Sequence, residues 1–262
     1  MKIKFQDKPA SFPTQGVAGQ PLKPLPQVML DRRATARFKA DPVPREFLEA
    51  ILRFGAQAPS GYNLQPWRFL VLQHKENRER LQRVAYGQQK ISEAPVVIVA
   101  FAIPNDWENS LDEIVEESVR RGCGNRETAP KFKQQAAEVL QKGIAPAVWL
   151  NRQTMIAVTS MMLLAETFGL DTAPMEGFDA AALGREFGLP ENAEIIALLA
   201  LGFAQEPDKP YAGRLDLSEI VHDETFGRHW SHGNVNAEHL SRKMFEEIER
   251  KATEPFATSA KT

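Results

Sequence analysis

The chain of 262 residues is long enough to bury a sizeable core, as one large domain or two small ones, without disulfide support. Its 32 basic and 34 acidic residues nearly cancel, which argues against the cationic surplus of proteins that bind nucleic acids or anionic membranes. The only cysteine, Cys123, excludes an internal disulfide framework and any metal cage with two or more thiolate ligands.

Apolar stretches in the sequence are too short for a transmembrane helix, and the first thirteen residues lack the apolar core of a signal peptide. We therefore predict a cytoplasmic protein with no nucleic-acid or membrane partner.

The N-terminal segment 1–27 contains five prolines and no periodic apolar pattern. Because proline interrupts helices and central strands, this segment is either an extended arm that wraps a partner subunit or a loose tail.

A regular pattern begins at Pro44, where an apolar stripe predicts a helix that ends near Gly55. A small, polar loop follows, and residues 67–72 are typical of a strand. A charged helix is predicted at 75–85. The β-branched run at 95–101 predicts a strand that is covered on both faces.

Two longer helices are predicted next. Residues 107–121 have the apolar spacing of an amphipathic surface helix. Residues 147–168 contain no charge between Arg152 and Glu166, so this helix must be buried on nearly every face, in a core or between subunits.

The remaining pattern predicts a Pro/Gly turn at 174–177, a short helix from Asp179 and a strand at 195–203. Residues 215–221 are predicted as strand or coil, and 237–252 as a charged helix. Helices outnumber strands and flank each of them, which favours a sheet sandwich of the α/β or α+β class.

Three segments could bind a ligand. RRATARF at 32–38 concentrates guanidinium groups, whose planar fork matches a phosphate. APSGYNLQPW at 58–67 supplies polar donors and acceptors suited to a heterocycle edge or a ribityl chain. PMEGF at 174–178 places a glycine where a backbone N–H can approach a flat ligand. Each segment alone could equally be an ordinary turn.

These segments, together with GRLDL at 213–217, occur in an order and spacing that resembles the FMN-dependent nitroreductases. The resemblance covers roughly residues 28–225. It implies an α+β fold with a mostly antiparallel central sheet flanked by helices, in an interlocked homodimer that holds FMN at the subunit interface. Residues 106–145 would form a helical lid, and 226–262 a C-terminal helical extension.

The resemblance also implies the cofactor-binding residues. Phosphate and ribityl contacts fall to the cationic segment and Arg214, loop contacts reach the flavin of the other subunit, and Gln88 and Lys90 lie at the pyrimidine edge. The backbone of Glu176 or Gly177 would face flavin N5. The full set is Arg32, Arg33, Ala34, Pro59, Ser60, Gly61, Asn63, Gln88, Lys90, Pro174, Met175, Glu176, Gly177 and Arg214.

The implied activity is NAD(P)H oxidation coupled to reduction of a nitroaromatic or quinone-type acceptor, by ping-pong hydride transfer through flavin N5. The cofactors would be FMN with NADPH or NADH, the partner a small aromatic acceptor, and no catalytic side chain is required. Aromatic residues that could stack on the acceptor, or simply pack in the core, are Tyr62, Trp107, Phe132 and Trp149.

Two departures from the family pattern leave alternatives open. Ala34 and Ala36 stand where family members usually carry polar or cationic residues. A flavin-binding carrier or sensor without turnover, a dehalogenating or flavin-fragmenting family member, and a structural dimer without FMN therefore remain alternatives. The C-terminal histidines 222, 229, 232 and 239 have no third well-spaced ligand, so no metal site is expected.

Overall fold

The computed structural model describes residues 4–5, 11–142, 145–207 and 210–230. The chain divides into two compact units, Met1–Lys209 and Pro210–Thr262. The predicted helix at 237–252 lies outside the described residues.

The first unit contains four strands and most of the helices, with short 3₁₀ turns at Val17–Gly19 and Gly61–Asn63. In chain order its elements are α1 (Leu25–Asp31), α2 (Arg45–Gly55), β1 (Trp67–Leu72), α3 (Lys75–Val84), α4 (Gln89–Glu93), β2 (Val96–Ala102), α5 (Asp106–Arg120), α6 (Ala129–Lys142), α7 (Pro146–Thr167), β3 (Asp171–Met175), α8 (Ala180–Phe187) and β4 (Glu194–Gly202). None of the described helices is long and apolar enough to cross a membrane.

The four strands form one sheet in the order β1-β2-β4-β3, and every neighbouring pair is antiparallel. Val99 at the centre of β2 lies opposite Leu70 on one side and Leu198 on the other. The antiparallel sheet flanked by helices confirms the predicted α+β fold.

Helices cover both faces of the sheet. Val96, Ile98 and Ala100 of β2 pack with α2 and α7, whereas Val97 and Val99 pack with α3, α4 and α8. Successive side chains of a strand point to opposite faces, so a strand between two helical layers must be apolar at every position. The continuous apolar run predicted for this strand is confirmed, since every residue of β2 is buried.

Two elements differ from the sequence prediction. Residues 171–175 form strand β3, although only a turn was predicted at 174–177. Pro174 lacks an N–H but is tolerated because β3 lies at the edge of the sheet. The strand-or-coil prediction for 215–221 is wrong at Leu217–Ile220, which forms α9 because the Asp216 side chain caps its N-terminus by accepting from the N–H of Ser218 at 2.9 Å.

The N-terminal segment packs on its own subunit along residues 11–24. Phe12 lies against Phe54 and Phe168, with ring centroids 4.8 and 5.2 Å away. The N–H of Val17 donates to the carbonyl of Phe168 at 2.9 Å, and Lys23 bonds to Glu166 at the end of α7. A loose tail is therefore excluded for this stretch.

In the second unit, α9 is followed by a short antiparallel turn closed by a bridge between His222 and His229. The two imidazole rings lie 6.1 Å apart, and the His229 Nδ1 atom is 2.9 Å from the Ser218 carbonyl. His232 and His239 lie outside the described residues. The described part of the chain contains no group of three side chains arranged to hold a metal ion.

Candidate functional site

The cationic segment lies beside strand β3. Arg32 and Arg33 follow α1, and the next residues extend the sheet edge: Ala34 forms a parallel bridge with Thr172, and the Thr35 N–H donates to the Thr172 carbonyl at 3.0 Å. The residues that follow the predicted phosphate ligands are thus bonded to the edge strand that contains Pro174.

The three arginines of this segment have different surroundings. Arg33 Nη1 donates to the carbonyls of Leu30 and Arg32, at 2.6 and 3.0 Å, and so stabilises the C-terminal end of α1. Arg37 pairs with Glu93 at 2.7 Å, and this carboxylate raises the pKa of the guanidinium. Arg32, which precedes Arg33, is half-buried. Because a guanidinium carries five N–H donors, Arg33 can cap the helix and still bind a ligand.

The predicted pyrimidine-edge and isoalloxazine segments are in direct contact. Gln88 Nε2 donates to the Gly177 carbonyl at 2.7 Å, and Lys90 follows in the first turn of α4. Met175 is buried at the end of β3, whereas Glu176 and Gly177 are exposed. The amide of Gln88 thus fixes the exposed turn that carries the predicted backbone N–H donors.

The polar loop at residues 58–67, called the serine–asparagine loop below, is held in a strained conformation. Tyr62, Asn63 and Gln65 all have positive φ angles, of 54°, 57° and 47°. Non-glycine residues rarely adopt this left-handed region, and such residues concentrate at functional sites. The Gln65 N–H donates to Ser60 Oγ at 3.0 Å, which closes the loop on itself.

Helix α7 fixes the same loop from outside. Gln153 Oε1 accepts from the Gly61 N–H at 2.8 Å, and a Cβ atom at Gly61 would lie 3.3 Å from Trp149 Nε1. A side chain at residue 61 would thus crowd the buried indole. Pro59 and Asn63 of this loop are exposed.

The sheet places this loop and the β3 segment on opposite edges. The loop leads into β1 at one edge, whereas Glu176 and Gly177 follow β3 at the other. Three interstrand spacings separate these edges, or about 14 Å. Within one subunit the structure therefore brings together three of the predicted groups and places the serine–asparagine loop apart from them.

Arg214 belongs to the second unit. It is exposed, its Nη1 donates to the Gly213 carbonyl at 2.6 Å, and its guanidinium lies over the Tyr211 ring at 5.5 Å.

The sequence did not indicate two residues that contact the predicted segments, Tyr86 and Gln153. Tyr86, 73% exposed and with a φ of 55°, lies next to Gly177. Gln153, which holds the serine–asparagine loop, is distant in sequence from every motif. The turn chemistry around Gly87 could have indicated Tyr86, but no local signal identifies Gln153.

The chain is similar to known proteins over most of its length. The model of the nitroreductase family matches residues 29–203. A protein of Thermus thermophilus named NADH dehydrogenase is 38% identical over 73% of this chain and 92% of its own length. An oxygen-insensitive NAD(P)H nitroreductase of Enterobacter cloacae is 30% identical over 74% of this chain and 96% of its own length.

Solved structures show the same fold. A protein of Exiguobacterium sibiricum crystallised in complex with FMN superposes with a TM-score of 0.70, at 22% identity, over 77% of this chain and 98% of its own. The match to the family model begins within α1, at residue 29, and ends at the residue after β4, so it covers all four strands and helices α2 to α8. The chain belongs to the nitroreductase family.

Proposed function

We propose that the protein is an FMN-dependent NAD(P)H oxidoreductase that reduces nitroaromatic or quinone-type acceptors. One observation supports the proposal: Ala34 and Thr35, which follow Arg32 and Arg33 in the chain, bond to Thr172 of β3, and Gln88 donates to Gly177 just after the same strand. These donor types match, in order, a phosphate ester, a ribityl chain and a flat ring with oxygen acceptors.

The donor set fits FMN. Guanidinium groups at 32 and 33 would bind the phosphate, and the Gln88 amide and Lys90 ammonium would donate to the oxygens of the pyrimidine edge. A cation at that edge favours the negative charge of a reduced ring. The exposed Gly177 has no side chain, so its backbone can lie close to a flat ring.

FMN held by these residues would supply a hydride-transfer centre between NAD(P)H and a second substrate, and we propose a ping-pong order for the two substrates. For a quinone the net reaction consumes the quinone, NAD(P)H and one proton, and yields the hydroquinone and NAD(P)⁺. For a nitro group, the same two electrons yield a nitroso group and water. The protein's residues bind and orient, and water can supply the protons.

We further propose that the protein acts as a homodimer. Leu25, Met29 and Leu30 of α1 are 60%, 63% and 51% exposed, an unusual set of large apolar side chains on one short helix. Helix α7 contacts α1 and exposes Val148 and Ile156 in the single subunit, although its sequence demands burial on every face. A second copy would cover both helices. Within one chain the β1 edge that carries the serine–asparagine loop lies about 14 Å from the β3 edge, so the second copy could bring its own loop to the β3 edge.

We also propose roles for the parts of the chain and a cellular location. Residues 28–225 form the cofactor-binding domain, 106–145 its lid, and 226–262 an extension, in a cytoplasmic protein.

Three measurements test the proposed function and the proposed dimer. Purified protein should carry a yellow chromophore that denaturation releases as FMN, and protein that neither carries nor takes up FMN would contradict the proposal and favour a structural dimer. Anaerobic NADPH or NADH should then bleach the bound flavin. A flavin that neither nucleotide reduces would identify a carrier or sensor instead. Sedimentation should give twice the chain mass of 29.3 kDa.

A further inference from the structure

The N-terminal arm, residues 11–24, ends next to a lysine that lies between two carboxylates. The Lys23 ammonium pairs with Glu166 near the end of α7, and it also lies 3.4 Å from Asp31 Oδ2 at the end of α1. Glu166 is buried, whereas the side chains of Lys23 and Asp31 are half-buried. One cation thus links the arm, the central helix and α1.

The backbone and the apolar side chains of the arm fix this lysine from its own side. The Lys23 N–H donates to the carbonyl of Thr167 at 3.1 Å. Val17 and Leu22 pack against the core that α2 and α7 form with the sheet. These apolar contacts do not depend on the ion pair, because burial of apolar surface needs no charge. A change of the lysine side chain alone should therefore leave the arm docked.

The Asp31 carboxylate has a donor for each of its oxygens. Gln27 Nε2, one turn earlier in α1, donates to Asp31 Oδ1 at 2.6 Å, while the Lys23 ammonium lies at Oδ2. Burial lowers the pKa of Lys23, but the hydrogen bond and charge of Glu166, together with the charge of Asp31, raise it above its ordinary value. The lysine is therefore a cation at neutral pH.

Asp31 is also the residue before the predicted phosphate ligands. Arg32 is the C-cap of α1, and its N–H donates to the Val28 carbonyl at 3.0 Å. Arg33 Nη1 donates to two carbonyls at the same helix end. A carboxylate next to two guanidinium groups competes with a phosphate, because both oxyanions accept charge-assisted hydrogen bonds from the same planar fork. The contact with Lys23 occupies that carboxylate.

We propose that Lys23 is a positioning residue for the phosphate of the cofactor: it holds the Asp31 carboxylate on the arm side of α1 and so prevents it from pairing with Arg32. The inference rests on the proposed function, which assigns the phosphate to Arg32 and Arg33. Without the ammonium, the carboxylate would compete for the Arg32 guanidinium and repel the phosphate. The N-terminal arm thus contributes to cofactor binding through α1.

A double-variant cycle tests this role, and free FMN in ultrafiltrates of diluted holoprotein gives the dissociation constants. Lys23→Met keeps an unbranched side chain and removes its charge, so we expect FMN to bind about fivefold more weakly. In an Arg32→Ala background the same change should weaken binding by less than about twofold, because the residue through which Lys23 acts is absent. Equal factors in both backgrounds would show a purely structural role and overturn the proposal.

Further variants separate charge from packing. Lys23→Arg keeps the cation and should bind FMN as the wild type does. Adding Asp31→Asn to Lys23→Met removes the competing carboxylate and should restore the affinity to within about twofold of the wild type. If this double variant binds FMN no better than Lys23→Met, the proposal is overturned. Lys75→Met removes an exposed lysine that pairs with Glu79 on α3, and this matched control should leave FMN binding unchanged.

The outcomes separate the two proposals. Protein that holds no FMN, or an Arg32→Ala variant with unchanged affinity, contradicts the proposed function. Holoprotein in which Arg32→Ala weakens FMN binding but Lys23→Met does not contradicts only the role of Lys23. If Lys23→Met does not fold, Lys23→Met combined with Glu166→Gln replaces it in every comparison, because that pair leaves no unpaired carboxylate at the end of α7.

Discussion

Gly61 donates its backbone N–H to Gln153 Oε1 at 2.8 Å, across 92 residues of sequence. This bond joins the buried central helix to a loop in which three non-glycine residues have positive φ angles. A strained loop persists only where its surroundings hold it, so we expect Gln153 to position the loop that carries the exposed side chain of Asn63.

Gln153→Leu should therefore loosen the loop and weaken FMN binding. Loss of the acceptor leaves a part-buried N–H unpaired, which costs about 1 kcal/mol and corresponds to roughly fivefold weaker binding. Fluorescence titration of flavin-free protein with FMN gives the dissociation constant. Gln153→Glu keeps an acceptor oxygen and should restore most of the affinity. Unchanged affinity in Gln153→Leu would argue against a positioning role.

Arg32→Ala should reduce FMN retention more than stability. A charge-assisted hydrogen bond to a phosphate contributes about 1.5–3 kcal/mol, so we expect at least tenfold weaker FMN binding with little change in urea unfolding. Arg53→Ala, at an exposed position near the end of α2, removes an arginine away from the cationic segment and should bind FMN normally. An equal effect of both variants on binding would contradict a phosphate role for Arg32.

The Lys23–Glu166 pair should stabilise the N-terminal arm against α7. Glu166 is only 7% exposed, and the carboxylates of Glu166 and Asp31 outweigh burial to raise the pKa of Lys23. Lys23→Met leaves the buried carboxylate unpaired and should lower the free energy of unfolding by about 1–3 kcal/mol, less than for a fully buried pair. Urea denaturation measures this change, and Lys39→Met at an exposed position is the control.

Adding Glu166→Gln to the Lys23→Met variant should recover part of the lost stability, because the unpaired charge is then removed. If the double variant is no more stable than Lys23→Met alone, the ion pair does not account for the docking of the arm.

Acid should destabilise the α5–α6 hairpin through Glu117. Arg120 and Arg121 hold the pKa of this carboxyl at about 2 in the folded protein, against about 4.3 in the unfolded chain. A depressed folded-state pKa contributes stability above the unfolded value, and this contribution is lost as the pH falls from about 5 to about 2.

The stability difference between wild type and Glu117→Gln should therefore shrink over that range of pH. Urea midpoints at several pH values measure it, and Glu116→Gln, an exposed carboxylate on the same helix, is the control. A difference that stays constant from pH 5 to pH 2 would contradict stabilisation of the hairpin by the contacts of Glu117 with Arg120 and Arg121.

The sequence by itself determined the elements whose signals are local. The apolar stripe of α2 and the unbroken apolar run of β2 predict which faces of these elements are buried, because the spacing of apolar side chains within one element decides which faces are covered. The segments proposed to bind the ligand could also be identified, because arginine, glycine and small polar residues have the same chemistry wherever they lie.

Only the tertiary structure decided which other residues contact those segments. Strand β3 was missed because Pro174 suits a turn until an edge position removes the need for its N–H. The contacts of Gln88 with Gly177 and of Gly61 with Gln153 join residues 89 and 92 positions apart. Pairings over such separations depend on strand order and on the packing of α7, which no local pattern specifies.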